Sequence, residues 1–310
     1  GIAQKFANCI KHVATAELVA VASATPGKAA KFASQFGVDA AYGDYHQLVG
    51  RDDIQAVYVA TTHNFHYENA KLALEHGKAV LCEKPLTPSL VETKALTAFA
   101  RERGVFLMEE MKTAFLPAIL TAKRWIEDGA IGEPRLARAD FCFQGSTDPE
   151  DRLMTPDLAG GCVHDVGISP LFLARFLLGE VESLSANGHL ASTGVEDTVA
   201  ISAQHENGAS SAMTASICTS EAMDAEILGT EGRIRLPRFH GGDSAHLICE
   251  DGYSDHFHDH EGGMVRAEIE AVMDSLDRDE IECPGHSHAD SCRLAALMDE
   301  VIAQVRPQED

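Results

Sequence analysis

The chain has 310 residues, of which 45% are hydrophobic and 24% charged, a composition typical of a globular protein with room for two domains. Its formal net charge of −23 argues against a nucleic-acid partner, because a phosphate-binding surface needs clustered Lys and Arg. We find no apolar run near the roughly 18 residues of a membrane helix and no secretory signal. Its eight cysteines are scattered without a C-x-x-C pair. We therefore expect reduced thiols, no membrane partner and a cytoplasmic location.

The first third of the chain alternates strand-like and helix-like segments. Apolar runs predict strands over residues 17–23, 54–60, 79–82 and 105–108, and periodicity predicts helices over residues 26–36, 65–76 and 88–103. Strands alternating with helices through short turns are typical of a parallel, doubly wound Rossmann sheet. In such a sheet the ligand crevice lies beyond the carboxyl ends of the strands. We place this dinucleotide-binding domain at residues 1–117.

Residues 118–310 show a different pattern, with strand-like runs that follow one another directly. These runs cover residues 136–143, 181–190, 198–204, 209–218, 225–228 and 233–236, with a hairpin signal at residues 206–208. Helices are predicted over residues 164–178, 264–277 and 287–305. The pattern predicts an α+β domain with a largely antiparallel, open sheet over residues 118–310.

The amino terminus lacks the usual opening of a Rossmann domain. Gly1, Ile2 and Ala3 look like the end of a G-x-G-x-x-G/A fingerprint and the beginning of its helix. We expect the first strand and the leading glycines to be missing from the sequence as given.

A set of short segments, in order along nearly the whole chain, resembles the glucose–fructose oxidoreductase and inositol dehydrogenase family (Gfo/Idh/MocA). The segments are residues 57–61, Asn64, His66, and residues 81–86, 106–109, 115–118, 160–161, 165–168 and 229–232. The chain is most similar to the branch of dimeric dihydrodiol dehydrogenases and NADP-dependent D-xylose dehydrogenases. This resemblance implies an enzyme that transfers a hydride between NADP or NAD and a carbinol or carbonyl of a sugar, cyclitol or diol. It also implies a homodimer, or a dimer of dimers, through the open face of the second sheet.

Lys84 is the candidate for the central catalytic residue. Hydride transfer at a carbinol requires a group that handles the hydroxyl proton or the developing oxyanion. Lys84 ends a buried strand in the turn Glu83-Lys84-Pro85, where Pro85 restricts the backbone and Glu83 is expected to orient the lysine or contact the cofactor. The competing interpretation is an exposed lysine that follows a strand, which is the usual environment of lysine.

The second domain offers further candidates on one predicted helix. Asp165 and Ser169 lie four residues apart, so an α-helix would place them on one face. The family usually has Tyr or His where this chain has Ser169, and serine can only hydrogen-bond a substrate hydroxyl or a water there. His164 could compensate for this difference, or could be structural. Lys112 stands where the branch often has an aromatic residue, so we expect a different substrate, although a solvated lysine is an equal alternative.

Cofactor choice is decided after the second strand of a Rossmann domain. This chain has Ser23, Ala24 and Thr25 there, with Lys28 a turn later and no carboxylate to repel a 2′-phosphate, which favours NADP over NAD. The resemblance implies a set of further cofactor contacts: Gly1, Ile2, Ala3, Thr61, Thr62, Asn64, His66, Glu83, Lys84 and Pro85.

Two other functions compete with this interpretation. A non-catalytic dinucleotide-binding regulator or sensor would explain the missing aromatic residue and the incomplete fingerprint. A metal-binding protein would use the alternating histidines His256, His258 and His260 of the acidic segment 255–261. We expect this segment to be solvent-facing and predict no metal, since acidic, His-rich loops are mostly solvated.

Overall fold

The computed structural model describes residues 1–259 and 265–306. The chain packs into two compact units. Unit 1 comprises Gly1–Thr87, Val91–Met111 and Val265–Cys292, and unit 2 comprises Pro88–Leu90, Lys112–Met264 and Arg293–Asp310. Packing thus groups a late segment with the amino-terminal third, whereas the sequence suggested a single cut at residue 117. The boundary of the functional domains at that cut stays a prediction.

Unit 1 opens with an alternating series of helices and parallel strands. The series is α1 (Ile2–Cys9), β1 (Ala20–Ala22), α2 (Lys28–Phe36), β2 (Ala40–Tyr42), α3 (Tyr45–Val49), β3 (Ala56–Val59), α4 (His66–Glu75), β4 (Ala79–Cys82), α5 (Leu90–Arg103) and β5 (Leu107–Glu109). β1 pairs with β2, and β3, β4 and β5 form a second parallel sheet in that order. The predicted parallel, Rossmann-like first domain is confirmed.

Two local features of unit 1 differ from the sequence prediction. The helix predicted from Pro26 begins at Lys28, because Gly27 takes a left-handed conformation (φ +74°) and interrupts the first turn. β2 and α3 were not predicted, since segments of three and five residues are too short for a periodic signal.

β4 lies at the centre of its sheet and is buried along its whole length. Val80 and Cys82 pack with Leu74, Leu96 and Leu107 in one apolar cluster. Each fully buried large aliphatic side chain of this kind contributes roughly 1.5–3 kcal/mol. This packing fixes the position at which β4 ends, and the Glu83-Lys84-Pro85 turn begins at that point.

Unit 2 is built on a nine-stranded sheet. Its strands are β6 (Pro134–Gln144), β7 (Val181–Leu190), β8 (Glu196–His205), β9 (Ser210–Ser216), β10 (Cys218–Ala222), β11 (Ala225–Gly229), β12 (Gly232–Leu236), β13 (Ser244–Cys249) and β14 (Ser254–His258). The order is β14-β13-β12-β11-β6-β9-β8-β7, with β10 also paired to β6. Only the β6–β9 pairing is parallel among these described strands, so the predicted, largely antiparallel sheet is confirmed. β13 and β14 escaped prediction because His, Asp and Ser dilute their apolar pattern.

The helices of unit 2 include α6 (Pro117–Glu127), which was not predicted, and α7 (Ile168–Leu178). The predicted helix over residues 164–178 starts with a π-helical turn at Val163–Gly167 rather than with an α-helical one. Contrary to our expectation from the sequence, one stretch, Pro156–Leu178, has the length and composition of a membrane helix, with a mean hydropathy of 1.3. Its window is 89% buried inside the fold, as expected of a core helix.

Two helices complete the described chain, α8 (Arg266–Asp277) and α9 (His288–Val305). The predicted first residue of α8, Met264, lies outside the described residues. The segment between the helices joins unit 1 through β5, because Leu107 N–H donates to the Ile281 carbonyl and His288 Nε2 contacts the Leu107 carbonyl at 2.9 Å.

Candidate active site

The turn that carries Lys84 is held by hydrogen bonds from neighbouring strand ends. Glu83 N–H donates to the Val59 carbonyl at 2.9 Å, and the Tyr58 hydroxyl donates to the Glu83 carboxylate. Leu86 N–H donates to Glu109 Oε1 at 2.7 Å. Lys84 itself is half-buried, and its peptide bond to Pro85 is cis. The turn of Lys84 therefore follows β4 directly and is hydrogen-bonded to residues at the ends of β3 and β5.

His66 lies beneath the same turn and is completely buried. Its Nδ1 is 2.7 Å from the Pro85 carbonyl and its Nε2 is 3.3 Å from the Thr61 carbonyl. Burial keeps the pKa of His66 below its usual value, so the ring is neutral and carries one proton. The shorter contact places that proton on Nδ1. His66 thus donates to the turn after β4, while its unprotonated Nε2 faces the Thr61 carbonyl of the loop after β3.

A buried pair missed by sequence reasoning supports the turn from the other side. Glu109 Oε2 lies 2.9 Å from His286 Nε2, and both side chains are at most 2% exposed. The Ser291 hydroxyl is 3.2 Å from the same ring nitrogen. Glu109 was visible in the sequence as the residue that ends β5. Its partner His286 lies 177 residues further along the chain, and Ser291 lies beyond it, so no local pattern could reveal either contact.

Carboxylates concentrate at the ends of these strands. Burial, followed by the charges of Glu83 and Glu110, raises the pKa of Tyr58 far above its usual value, so Tyr58 stays protonated and acts as a donor. Neither carboxylate oxygen of Glu110, which is 1% exposed, has a hydrogen-bond partner among the described residues. Since buried polar groups normally have partners, this edge of the sheet offers acceptors to a bound group that carries N–H or O–H donors.

The residues predicted to hold the cofactor form two loops and a helix start in unit 1. Thr61, Thr62 and Asn64 lie half-buried after β3 and bond to one another or to Asn69, with Thr62 Oγ1 donating to Asn64 at 2.8 Å. Gly1, Ile2 and Ala3 form the beginning of α1, and an added Cβ at Gly1 would meet no atom within 4 Å.

The loop after β1 contains the residues predicted to choose between the two cofactors. Ser23 Oγ accepts from Thr25 N–H at 3.3 Å, and Ala24, Thr25 and Lys28 are exposed. This loop supplies hydroxyls, backbone N–H groups and one ammonium, with no carboxylate between Ser23 and Lys28. These donors fit a phosphate-bearing nicotinamide cofactor.

In unit 2 the predicted candidates Asp165 and His164 lie in the π-helical turn. Because that turn has wider spacing than an α-helix, the argument that Asp165 and Ser169 share a face does not apply there. Asp165 is 7% exposed and accepts from Arg152 at 3.0 Å. Ser169, 5% exposed, lies in the first turn of α7. π-helical turns occur frequently at functional sites.

His164 is held by the protein backbone. Its Nε2 lies 3.0 Å from the Pro88 carbonyl, to which a neutral ring protonated on Nε2 donates. Burial lowers the pKa of His164, so it is neutral near pH 7. This environment is typical of a structural histidine, the second of the two interpretations that the sequence left open.

A buried ion pair fixes the loop that leads into the π-helical turn. Glu196 is fully buried and accepts from Arg306 Nε at 2.7 Å and from Val163 N–H at 3.3 Å. Arg306 also donates to the Gly160 carbonyl at 3.2 Å. Gly161, at φ +114°, has no room for a side chain, since an added Cβ would lie 2.3 Å from a Glu196 oxygen. Sequence reasoning noticed Gly160 and Gly161, but not the ion pair that requires a glycine at position 161.

The remaining sequence candidates are Lys112 and the histidine segment. Lys112 is half-buried in a single 3₁₀ turn of unit 2. His256 and His258 lie on β14, whereas His260 and Glu261 fall outside the described residues. Among residues 1–259 and 265–306, no group of three or more His, Cys, Asp or Glu side chains is placed to hold a metal ion.

Comparison with known proteins assigns both halves of the chain. The model of an oxidoreductase family with an NAD-binding Rossmann fold matches residues 1–111, and that of the GFO/IDH/MocA C-terminal domain matches residues 119–235. The mouse trans-1,2-dihydrobenzene-1,2-diol dehydrogenase is 35% identical over 76% of this chain and 72% of its own length. The scyllo-inositol 2-dehydrogenase (NADP(+)) of Bacillus subtilis is 31% identical over 81% of this chain and 77% of its own length.

Solved structures agree with these matches. A 3-ketoreductase from Actinomadura kijaniata, in complex with NADP and TDP-benzene, superposes with a TM-score of 0.86 at 28% identity and covers 97% of this chain and 93% of its own. A levoglucosan dehydrogenase in complex with NADH has a TM-score of 0.88 at 22% identity, covers 98% of this chain and 94% of its own, and shows the shared fold. The chain belongs to the Gfo/Idh/MocA family of oxidoreductases. The predicted family, the nicotinamide-binding Rossmann domain and the oxidoreductase class are confirmed.

Proposed function

We propose that this oxidoreductase transfers a hydride between NADP and a secondary carbinol of a sugar, cyclitol or related diol, with Lys84 as the catalytic proton carrier. The observation that carries the proposal is the turn of Lys84, which neighbouring strand ends hold by hydrogen bonds through Glu83, Leu86 and Pro85. A solvated lysine that merely follows a strand would need no such support. The names of the relatives, which are dehydrogenases of a dihydrobenzenediol and of scyllo-inositol and a 3-ketoreductase, support a carbinol or carbonyl substrate of this class.

The proposed chemistry is a coupled transfer of a hydride and a proton. When bound, the nicotinamide cofactor accepts the hydride from the carbinol carbon or returns it to the carbonyl carbon. In the oxidation direction the Lys84 amine accepts the hydroxyl proton as the C=O bond forms, and in reduction the Lys84 ammonium donates a proton to the developing alkoxide. A half-buried position limits the water that competes for this proton.

We assign binding rather than proton transfer to the candidates of unit 2. The Asp165 carboxylate, aligned by Arg152, can accept a hydrogen bond from a substrate hydroxyl, and the Ser169 hydroxyl can donate or accept one. Lys112 is proposed to contact polar groups of the substrate. His164, neutral and hydrogen-bonded to the Pro88 carbonyl, then serves to position the turn of Asp165 rather than to exchange protons.

Two finer assignments are part of the proposal. NADP is favoured over NAD because the loop of Ser23, Thr25 and Lys28 supplies hydroxyls and a cation to a 2′-phosphate. A homodimer through the open sheet face is favoured because that face of β7 and β8 carries small or polar exposed side chains, such as Ser185, Asn187 and Ser202, which permit close approach of a second sheet.

A substrate screen tests the proposal against the non-catalytic alternative. Sugars, cyclitols, diols and dicarbonyl compounds are tested with NADPH, NADH and their oxidised forms, following nicotinamide absorbance. The proposal expects turnover of at least one polyol or its carbonyl product, faster with the NADP couple. A protein that binds NADPH tightly, as measured by fluorescence, but changes no compound in the panel would instead be a regulator or sensor.

A further inference from the structure

β13 and β14 form an antiparallel hairpin at one edge of the unit 2 sheet, and histidines lie opposite each other on it. The register pairs His246 of β13 directly with His256 of β14. Their Nδ1 atoms are 3.0 Å apart, the distance of a hydrogen bond from one ring to the other, and the ring centroids are 4.4 Å apart. His258 follows His256 by two residues, so it lies on the same face, with its ring 6.3 Å away. His246 was not singled out from the sequence, because only the strand register brings it to His256.

We propose that His246 and His256 chelate one divalent transition metal ion that prefers tetragonal coordination, Ni²⁺ or Cu²⁺. This site is separate from hydride transfer and does not rest on the proposed function. Imidazole nitrogen is a good ligand for these ions. Two ligands come from the chain, and water completes the coordination, since the part of the chain described here places no third His, Cys, Asp or Glu with them.

The distance between the two nitrogens selects the kind of metal. A cation bound about 2.1 Å from each nitrogen, the usual metal–imidazole distance, would subtend an N–metal–N angle of about 90° across a 3.0 Å separation. That is the angle between adjacent ligands in square-planar and octahedral complexes. A tetrahedral ion such as Zn²⁺ needs about 109°, and hence nitrogens about 3.4 Å apart. Ni²⁺ and Cu²⁺ can therefore replace the hydrogen-bonding proton without a change in the separation of the nitrogens, whereas Zn²⁺ requires the two rings to move apart.

The surroundings of the pair keep the ligands competent. His246 is half-buried, and its cross-strand neighbour on β12 is Arg235. Ser254 and Asp255 line the same shallow cleft, which leaves room for water ligands. The Asp255 carboxylate accepts from the His256 backbone N–H at 2.7 Å and partly offsets the positive charge of Arg235.

Calorimetric titration of the intact protein with Ni²⁺ tests the site. We expect one Ni²⁺ per chain, and an affinity at least about tenfold lower in each of the variants His246→Asn and His256→Asn, because each removes one of two chain ligands. His189→Asn is the matched control: His189 is exposed on the same sheet, 3.0 Å from Asp197, and its loss should leave the affinity unchanged.

Electron paramagnetic resonance of the Cu²⁺-loaded protein adds a readout of the ligands. The wild type should show nitrogen couplings from two imidazoles, and either His→Asn variant should show one. The proposal is overturned if the wild type binds no Ni²⁺, if the two variants bind it as the wild type does, or if the affinity drops in His189→Asn instead. Zn²⁺ binding tighter than Ni²⁺ binding would overturn the tetragonal assignment.

Discussion

The ion pair between Glu196 and Arg306 offers a quantitative test of how the π-helical turn is held. In the variant Arg306→Met the fully buried Glu196 carboxylate keeps its charge and loses its cationic partner. Breaking a buried ion pair from one side costs about 3–5 kcal/mol. Arg306 is 31% exposed, and Val163 N–H still donates to Glu196, so we place the loss at the lower end, ~3 kcal/mol. For a unit of this size that lowers the melting temperature by ~6–12 °C.

Thermal unfolding followed by circular dichroism measures the effect, and a second substitution identifies its cause. Removing the charge as well, in Glu196→Gln with Arg306→Met, should recover at least half of the lost stability, because no buried charge then lacks a partner. Arg306→Lys keeps the charge but not the two-point contact and should lie between the wild type and Arg306→Met. A melting temperature of Arg306→Met equal to that of the wild type, or a double variant no more stable than Arg306→Met, would refute the reasoning.

Three further predictions concern stability and the cofactor. Stability should decrease as pH falls below ~6.5, the usual imidazole pKa. The reason is that the unfolded chain then binds a proton at His164, whereas the buried ring of the folded protein stays neutral. The melting temperature of His164→Gln should therefore depend less on pH in this range, and an equal slope would contradict the prediction. Gly161→Ala should unfold at a lower temperature than the wild type, because its Cβ would clash with Glu196 at a left-handed φ; unchanged melting would dismiss the clash. Lys28→Ala should weaken NADPH binding roughly tenfold without changing NADH binding. Lys31→Ala, the variant of an exposed neighbour, should change the affinity for neither cofactor. An equal loss of affinity for NADPH and NADH in Lys28→Ala would show that Lys28 does not contact the 2′-phosphate.

The sequence was most informative where a strand is a continuous apolar run or has clear turn signals at both ends. β4 and β7 were predicted to the residue, because one is a continuous apolar run and the other is bounded by clear turn signals. Prediction failed where the pattern was short or mixed. β2 has three residues, β13 has a half-buried histidine within its apolar pattern, and β14 has an acid and two histidines at exposed positions.

The candidate site, too, could be predicted from the sequence only where its residues are adjacent in the chain. Lys84 could be found because strand end, turn and proline are adjacent in the sequence. The groups that hold its turn could not be found. Tyr58 donates to Glu83 only after folding, and His286 contacts Glu109, the acceptor of Leu86 N–H, from far along the chain. The π-helical turn before α7 was also invisible, because a single wide turn leaves the apolar pattern of a helix unchanged.

Turnover by Lys84→Ala, measured alongside cofactor binding, tests the central claim most directly. A substrate found in the screen is offered to the wild type, to Lys84→Ala and to Lys94→Ala, an exposed lysine of α5 in the same unit. Loss of a general acid–base group predicts that kcat of Lys84→Ala falls by about 10²–10⁴, with NADPH affinity within a few-fold of the wild type, while Lys94→Ala stays fully active. Wild-type turnover in Lys84→Ala would contradict the assignment of proton transfer to Lys84.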